Sequence, residues 1–260
     1  MNIGKSALAG AVVLGIALGG AYWLNDDSQP TVKNTETQPK QVEISQVSEL
    51  KQLSNKIAED IDQLHPLPEQ GEVSTKERML VSFNRMQASV GKFNSSGFVK
   101  AEIQALLNDP AVIEVAKNTL VDLEGAMAEF GDDQAMARVY SIKILDELAK
   151  QGEPYPLYET TAQLAEKLNE QANQDVAFSK RQDLDLEELV FASLNSFEES
   201  QILENPQIVM DELGYSDAQH DKIRKIYGNL FGSVFVRHAS IDESIARVQE
   251  LFNKQGTNNG

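Results

Sequence analysis

Apolar side chains recur every three or four residues along most of this chain after residue 42, and strictly alternating apolar and polar residues are nearly absent. Residues with the three-to-four spacing fall on one face of an α-helix, whereas a half-buried strand is apolar at every second residue. The longest such run consists of Val112, Ala116, Leu120, Leu123, Met127 and Phe130. The pattern therefore predicts an all-α fold.

Capping and turn residues divide this region into about nine or ten helices. Ser74 with Glu77, and Ser240 with Glu243, have the spacing of a capping box and precede apolar-periodic runs. Pro110 and Pro206 occupy first-turn positions, where proline fits a helix. Because the connections are short, consecutive helices should be antiparallel neighbours. The sequence predicts a multi-helix bundle or a helical-hairpin array over residues 42–255.

A more polar stretch at residues 172–182 marks the place where this helical domain would divide, if it divides at all. After it, Asp185 with Glu188 predicts the capped start of the next helix. Residues 256–260 are polar and glycine-containing, and we expect a disordered tail there.

The first 24 residues contain an uncharged run at 7–24, which lies between the length of a signal-peptide core and that of a membrane-spanning helix. Tyr22 and Trp23 at its end favour an uncleaved anchor, because aromatic residues collect at membrane interfaces. Gly19 and Ala21 instead suit cleavage of a signal peptide after Ala21. Residues 1–24 are therefore a signal anchor or a signal peptide.

Lys5 precedes the run, and Asp26 with Asp27 follows it, which predicts an amino terminus in the cytoplasm. The anchored form would be a single-pass protein of a bacterial inner membrane, with its helical domain in the periplasm. Cleavage near Ala21 would leave a soluble periplasmic protein. Residues 25–41 are almost entirely polar, so we expect a disordered linker between the two parts.

Small residues follow one another at every fourth position of the apolar run, at Ala11, Gly15 and Gly19. Such a stripe allows two membrane helices to pack closely, which predicts a homodimer through this segment. The alternative is that alanine and glycine simply reflect the composition of export segments.

Charge and cysteine content exclude several classes of function. Lys and Arg total 23 against 40 Asp and Glu, a net charge of −17. Binding to nucleic acid requires concentrated positive charge, so we expect no nucleic-acid partner. The chain has no cysteine, which excludes disulfides, cysteine metal sites and a cysteine nucleophile.

No motif predicts a catalytic, metal or cofactor site. No two of the three histidines are three or four residues apart, so none forms a pair of ligands on one helix face. The acidic run at residues 183–188 lacks the glycine and the final glutamate of a calcium loop. Ser48 and Lys51 match a Ser-x-x-Lys pattern, but no companion motif accompanies them.

The most unusual local pattern lies near the carboxyl terminus, where two glycines one turn apart sit among aromatic residues and follow a basic cluster. Glycine inside a helix is costly, so another backbone should approach closely on that face. Intramolecular packing of the last helices is one interpretation. A partner-docking face is the other, formed by Arg224, Tyr227, Gly228, Phe231, Gly232 and Phe235.

These features favour a non-enzymatic protein that acts through protein–protein interaction in the cell envelope, as a scaffold, an adaptor or a chaperone-like factor, with another envelope protein as its partner. A ligand-binding sensory or regulatory ectodomain is the alternative, and a hydrolase using paired carboxylates ranks below it. A hydrolase should show acids with perturbed pKa values in a pocket, whereas a docking protein should expose an apolar patch.

Overall fold

The structure is a computed structural model that describes residues 42–68, 73–174, 176–177, 180–215 and 220–254. These residues form helices and connections without any strand, which confirms the all-α prediction. The helices are α1 (Val42–Leu64), α2 (Thr75–Ser89), α3 (Ser95–Leu106), α4 (Ala111–Val121), α5 (Leu123–Phe130), α6 (Gln134–Lys150), α7 (Tyr155–Asn173), α8 (Lys180–Ser196), α9 (Glu199–Glu204), α10 (Pro206–Glu212), α11 (Asp221–Phe235) and α12 (Ile241–Lys254).

Several predictions concern residues outside the described part of the chain. They are the anchor or signal segment at 1–24 with Ala11, Gly15 and Gly19, the linker at 25–41, and the tail at 256–260. Among the helices that are described, none has the length and apolar character needed to cross a membrane.

Two helix starts follow the predicted capping boxes. The Ser74 amide donates to Glu77 Oε2 at 2.9 Å, and the Glu77 amide donates to Ser74 Oγ at 3.3 Å. Ser240 and Glu243 make the same reciprocal pair at 3.0 and 3.3 Å. Each box satisfies amides that have no partner within the first turn of a helix, so these local patterns fix where α2 and α12 begin.

The described residues contain twelve α-helices, more than the nine or ten helices expected, partly because the continuous run at 110–130 is broken. Asp122 has extended backbone angles (φ −106°, ψ 91°), and its side chain accepts a hydrogen bond from the Gly125 amide at 3.1 Å. Asp122 therefore ends α4 and caps α5.

From Ser48 onward the chain forms one compact unit, and α6 lies at its centre. Ten of the 17 residues of α6 are buried, and the helix packs against α2, α3, α4, α5, α7 and α8. In a stacked helical array each hairpin would contact only its neighbours in sequence. The arrangement about α6 is therefore a compact bundle.

The last third of the chain joins the same core. α8 begins at Lys180 and packs against α6, α7 and α11, so the polar stretch at 172–182 connects two helices that contact each other. Asp185 lies inside α8 rather than at its start, and it is wholly buried. The prediction that Asp185 caps this helix is therefore wrong.

Candidate functional site

The docking face predicted from the sequence lies on α11, and its aromatic side chains belong to the core. Tyr227, Phe231 and Phe235 are all buried. The Tyr227 hydroxyl donates to the backbone oxygen of Leu213 at 2.5 Å, and burial raises the pKa of that hydroxyl. Because these side chains expose almost no surface, the prediction that they contact a partner is wrong.

The two glycines of the same set allow α12 to approach α11. A Cβ atom at Gly228 would lie 3.0 Å from Cε2 of Phe252 and 3.6 Å from Cγ1 of Val248. A Cβ atom at Gly232 would lie 3.6 Å from Cγ2 of Val248. The close approach that the glycines predict therefore occurs within the chain, between its last two helices.

Arg224 contributes to the same hairpin. Its guanidinium lies 5.8 Å from the ring centroid of Phe252, within the range of a cation–π contact. Its neighbours Lys222 and Lys225 are exposed. The structure thus places all six predicted residues on α11, where Arg224, Gly228, Gly232 and Phe235 contact α12 and the three aromatic side chains are buried.

Phe235 also lines a small groove between the α9–α10 region and α12. Arg247 covers this ring, with its guanidinium 4.6 Å from the ring centroid, and donates to the backbone oxygen of Leu203 at 2.7 Å. The groove has a volume of about 170 Å³. Pockets for drug-sized ligands span roughly 300–1,000 Å³, so this groove gives no support to the ligand-binding alternative.

One acid whose pKa is raised lies elsewhere, on α8. Burial raises the pKa of Glu188, and burial lowers the pKa of Lys143 on α6. Neither residue lines the groove, and Glu188 Oε2 lies 3.4 Å from Nη2 of Arg181. In the ranges that the structure describes, no three histidine, aspartate or glutamate side chains are placed to hold a metal ion.

An exposed apolar surface lies instead at the amino-terminal end of the described fold. We call it the α1–turn patch, and it consists of Leu50 and Leu53 on α1 with Val90 and Phe93 between α2 and α3. These side chains are 47, 45, 60 and 44 % exposed, respectively. Nδ2 of Asn94 donates to Oγ of Ser54 at 3.2 Å, which joins the turn to α1. Leu53 directly precedes Ser54 and Phe93 directly precedes Asn94, so this hydrogen bond links the two segments that carry the patch.

Asn94 has an unusual backbone conformation at this contact. Its φ of 56° is the only positive value for a non-glycine residue in the described ranges. Asparagine tolerates this left-handed region better than most residues. Asn94 precedes the first turn of α3 without capping it, because its side chain reaches Ser54 instead. A Cβ atom at Gly97 would come within 2.5 Å of Oδ1 of Asn94, so Gly97 leaves room for that side chain.

Arg85 on α2 makes the second connection to α1. Its Nη1 donates to the backbone oxygen of His65 at 2.8 Å, and its Nη2 lies 2.7 Å from Oδ1 of Asp62. Nε and Nη2 also donate to Oε1 of Glu102 on α3, at 3.1 and 2.8 Å. The guanidinium lies 5.7 Å from the ring centroid of Phe98. One buried cation therefore links the end of α1 to the α2–α3 hairpin.

Sequence reasoning did not single out Phe93, Asn94 or Arg85. A signal for Phe93 exists, since residues 91–97 are otherwise glycine, serine, asparagine and lysine, and a large aromatic residue in such a turn is unusual. No comparable signal exists for Arg85, because its acidic partners are distant in sequence.

Comparison with protein-family models, curated proteins and solved structures gives no match for this chain.

Proposed function

We propose that this chain is an all-helical protein of the bacterial cell envelope that acts by binding another envelope protein, as a scaffold, an adaptor or a chaperone-like factor. Residues 7–24 would hold it in the inner membrane, or would export it if they are cleaved. The observation that carries the proposal is the α1–turn patch, where four large apolar side chains are exposed on the two segments that the Ser54–Asn94 hydrogen bond joins. Apolar side chains exposed near one another mark interaction sites more often than isolated ones do.

The charges beside the patch indicate what the partner should look like. Lys51 follows Leu50 and Lys92 precedes Phe93, and both lysines are exposed, as is Glu49 before Leu50. Complementary charge at the rim of an interface selects a partner and sets its orientation. We infer a partner surface that is apolar at its centre and carries acidic groups where it faces Lys51 and Lys92.

The place of the patch in the chain supports a partner in the same membrane. α1 directly follows the predicted linker at 25–41, and a coil of these 17 residues spans roughly 20–25 Å. A tether of that length would keep α1 near the membrane surface. Partners held in the same membrane would then meet the patch at a high effective concentration.

Photo-crosslinking in intact cells tests the docking proposal. A photoreactive phenylalanine at position 93 should capture one defined envelope protein, and the added substitution Leu53→Asp should abolish that product. Tyr155 on α7 is a matched control, because it is an aromatic residue that is 69 % exposed outside the patch. Equal capture from positions 93 and 155, or no capture from position 93, would refute the patch as a docking site.

Amino-terminal sequencing of the mature protein tests the tether separately. A chain that retains residues 1–24 and sediments with membranes supports the anchor. A mature chain that starts at Tyr22 would refute it and leave a soluble periplasmic protein.

A further inference from the structure

We propose that α1 also docks in trans, so that the site on α2 and α3 that holds the end of α1 receives α1 from a second copy of this chain. We call that site the α1 seat, and define it by Arg85 and Asn94. The inference rests on the proposed function for the membrane tether that brings two copies together. The occupant is α1 of the second copy, because α1 is the helix that this seat holds within one copy.

α1 is held to the fold by few contacts. Among its side chains that the structure describes, Ile61 alone is buried, while Leu50, Leu53 and Leu64 remain about half exposed or more. Within the described residues, the polar contacts that join α1 and His65 to α2 and α3 are those of Ser54, Asp62 and the His65 carbonyl with Asn94 and Arg85. A helix attached at so few points opens locally at a small cost relative to the whole fold.

The contacts that fill the seat do not depend on which copy supplies them. The seat takes the Asp62 carboxylate and the backbone carbonyl of His65 just beyond the helix, and Ile61, which precedes Asp62, is buried. A second copy presents these groups at the same spacing. Exchange of identical elements between protomers is a low-cost route to dimers because it needs no new complementarity.

Arg85 has an alternative partner when α1 leaves. Oε1 of Glu102 accepts two hydrogen bonds from Arg85, whereas Oε2 of Glu102 is buried and has no hydrogen-bond partner among the described residues. After Nη1 loses the His65 carbonyl, a rotation of the guanidinium can pair it with both oxygens of Glu102 in the two-pronged geometry that arginine favours. The empty seat thus keeps its buried cation paired, which stabilises the open state that exchange requires.

The connection between α1 and α2 suits exchange. Residues 65–74 join the two helices, and ten residues reach at most about 33–36 Å when extended. Pro66 and Pro68 lie in this stretch, and proline disfavours helical backbone in the residue before it. α1 can therefore extend away from its own seat toward that of a neighbour tethered nearby.

Because the chain contains no cysteine, a thiol-specific crosslinker reacts only at cysteines that are introduced. One tagged copy carries Ser54→Cys, a second copy with a different tag carries Asn94→Cys, and the two are co-expressed at full length in membranes. A short thiol-specific crosslinker should then join the two differently tagged copies. A single copy with both substitutions should crosslink internally, which establishes that the reagent spans this contact.

Lys56→Cys replaces Ser54→Cys as the matched control, because Lys56 is exposed and lies on the other side of α1. Copies that carry Lys56→Cys and Asn94→Cys should give at least several-fold less crosslinked product than copies that carry Ser54→Cys and Asn94→Cys. Ile61→Ser should reduce the product of the Ser54 and Asn94 pair several-fold, whereas Ile241→Ser, at an exposed position on α12, should leave it unchanged.

The proposal would be overturned if the doubly substituted copy crosslinked fully within itself while the two differently tagged copies gave no more crosslinked product than the Lys56 control. That result would show that α1 docks only in its own copy. A product that joins two Ser54→Cys copies in place of the mixed product would show side-by-side pairing of α1 and would also overturn it. Capture of another protein from position 93 is a separate result, so the two proposals fail independently.

Discussion

The guanidinium of Arg138 on α6 and the carboxylate of Asp185 on α8 form an ion pair in which neither side chain is exposed, with Nε and Oδ2 2.5 Å apart. Arg138 also donates to the backbone oxygens of Thr119 and Leu120 at 3.0 and 3.2 Å, where α4 ends. Asp185 accepts a second hydrogen bond from Nε of Arg181 at 2.6 Å. One buried pair therefore connects three helices and satisfies carbonyls that have no partner within α4.

We expect Asp185→Asn to lower the free energy of unfolding by about 3–5 kcal/mol, because it leaves the Arg138 charge buried without a counter-ion. Urea denaturation followed by far-UV circular dichroism measures the change. Glu114→Gln is the control, since Glu114 is 68 % exposed in its pair with Lys117, and such a surface pair contributes less than about 1 kcal/mol. Equal losses in the two variants would contradict a structural role for the buried pair.

The fold class and several helix ends were predictable because their signals are local. The capping boxes at Ser74 and Ser240 place donor and acceptor three residues apart, so the sequence itself contains the contact. Asp122 is an exception. Leu120 and Leu123 fit one continuous helix, so the apolar spacing runs through position 122 and conceals the local cap that Asp122 makes on the Gly125 amide.

Contacts between distant residues account for what the sequence did not reveal. Asp185 resembles a helix cap when it is read with Glu188, but its partner Arg138 lies 47 positions away. The α11 aromatics have the spacing of a core face, and nothing local distinguishes a core face from a docking face. The exposed patch was missed because Leu50 and Leu53 share the apolar spacing of buried helices while α1 lies at the edge of the bundle.

Substitutions at the two α11 glycines distinguish internal packing from docking. Gly232→Ala should raise the free energy of unfolding by up to about 1 kcal/mol, because a Cβ there makes an ordinary contact with Val248 and alanine favours the helix. Gly228→Leu should lower it by about 1–3 kcal/mol, since the side chain must displace Phe252. Thermal unfolding reports both changes. If the two variants were equally stable, the close approach of α12 would not depend on Gly228.

The raised pKa of Glu188 predicts that Glu188→Gln raises the free energy of unfolding at neutral pH but not in acid. Burial raises this pKa in the folded state, so the contribution of Glu188 to stability is complete below its unfolded pKa of about 4.3 and is lost as the pH rises through the folded value. Glutamine imitates the neutral acid, so the variant should be the more stable protein at neutral pH and equal to the parent in acid. Urea titrations at both pH values measure the difference.

Glu77→Gln is a control that should change the free energy of unfolding at neutral pH in the opposite direction. Hydrogen bonds from Ser74 lower the pKa of Glu77, so its contribution is present above its unfolded pKa and is lost as the pH falls through the lower folded value. This variant should therefore be the less stable one at neutral pH. If both variants changed the free energy of unfolding in the same direction, burial would not destabilise the charged form of Glu188.

The sparse attachment of α1 predicts that this helix opens without the rest of the bundle. Amides in residues 48–60 should exchange with solvent faster than those of α6, because α6 contributes ten buried residues to the core and α1 buries Ile61 alone among its described side chains. Ile61→Ala should accelerate exchange in α1 further and leave α6 unchanged. Leu53→Ala, at an exposed position on the same helix, should alter neither. Hydrogen–deuterium exchange with mass spectrometry resolves these segments, and equal protection of α1 and α6 would contradict the independent opening that exchange between copies requires.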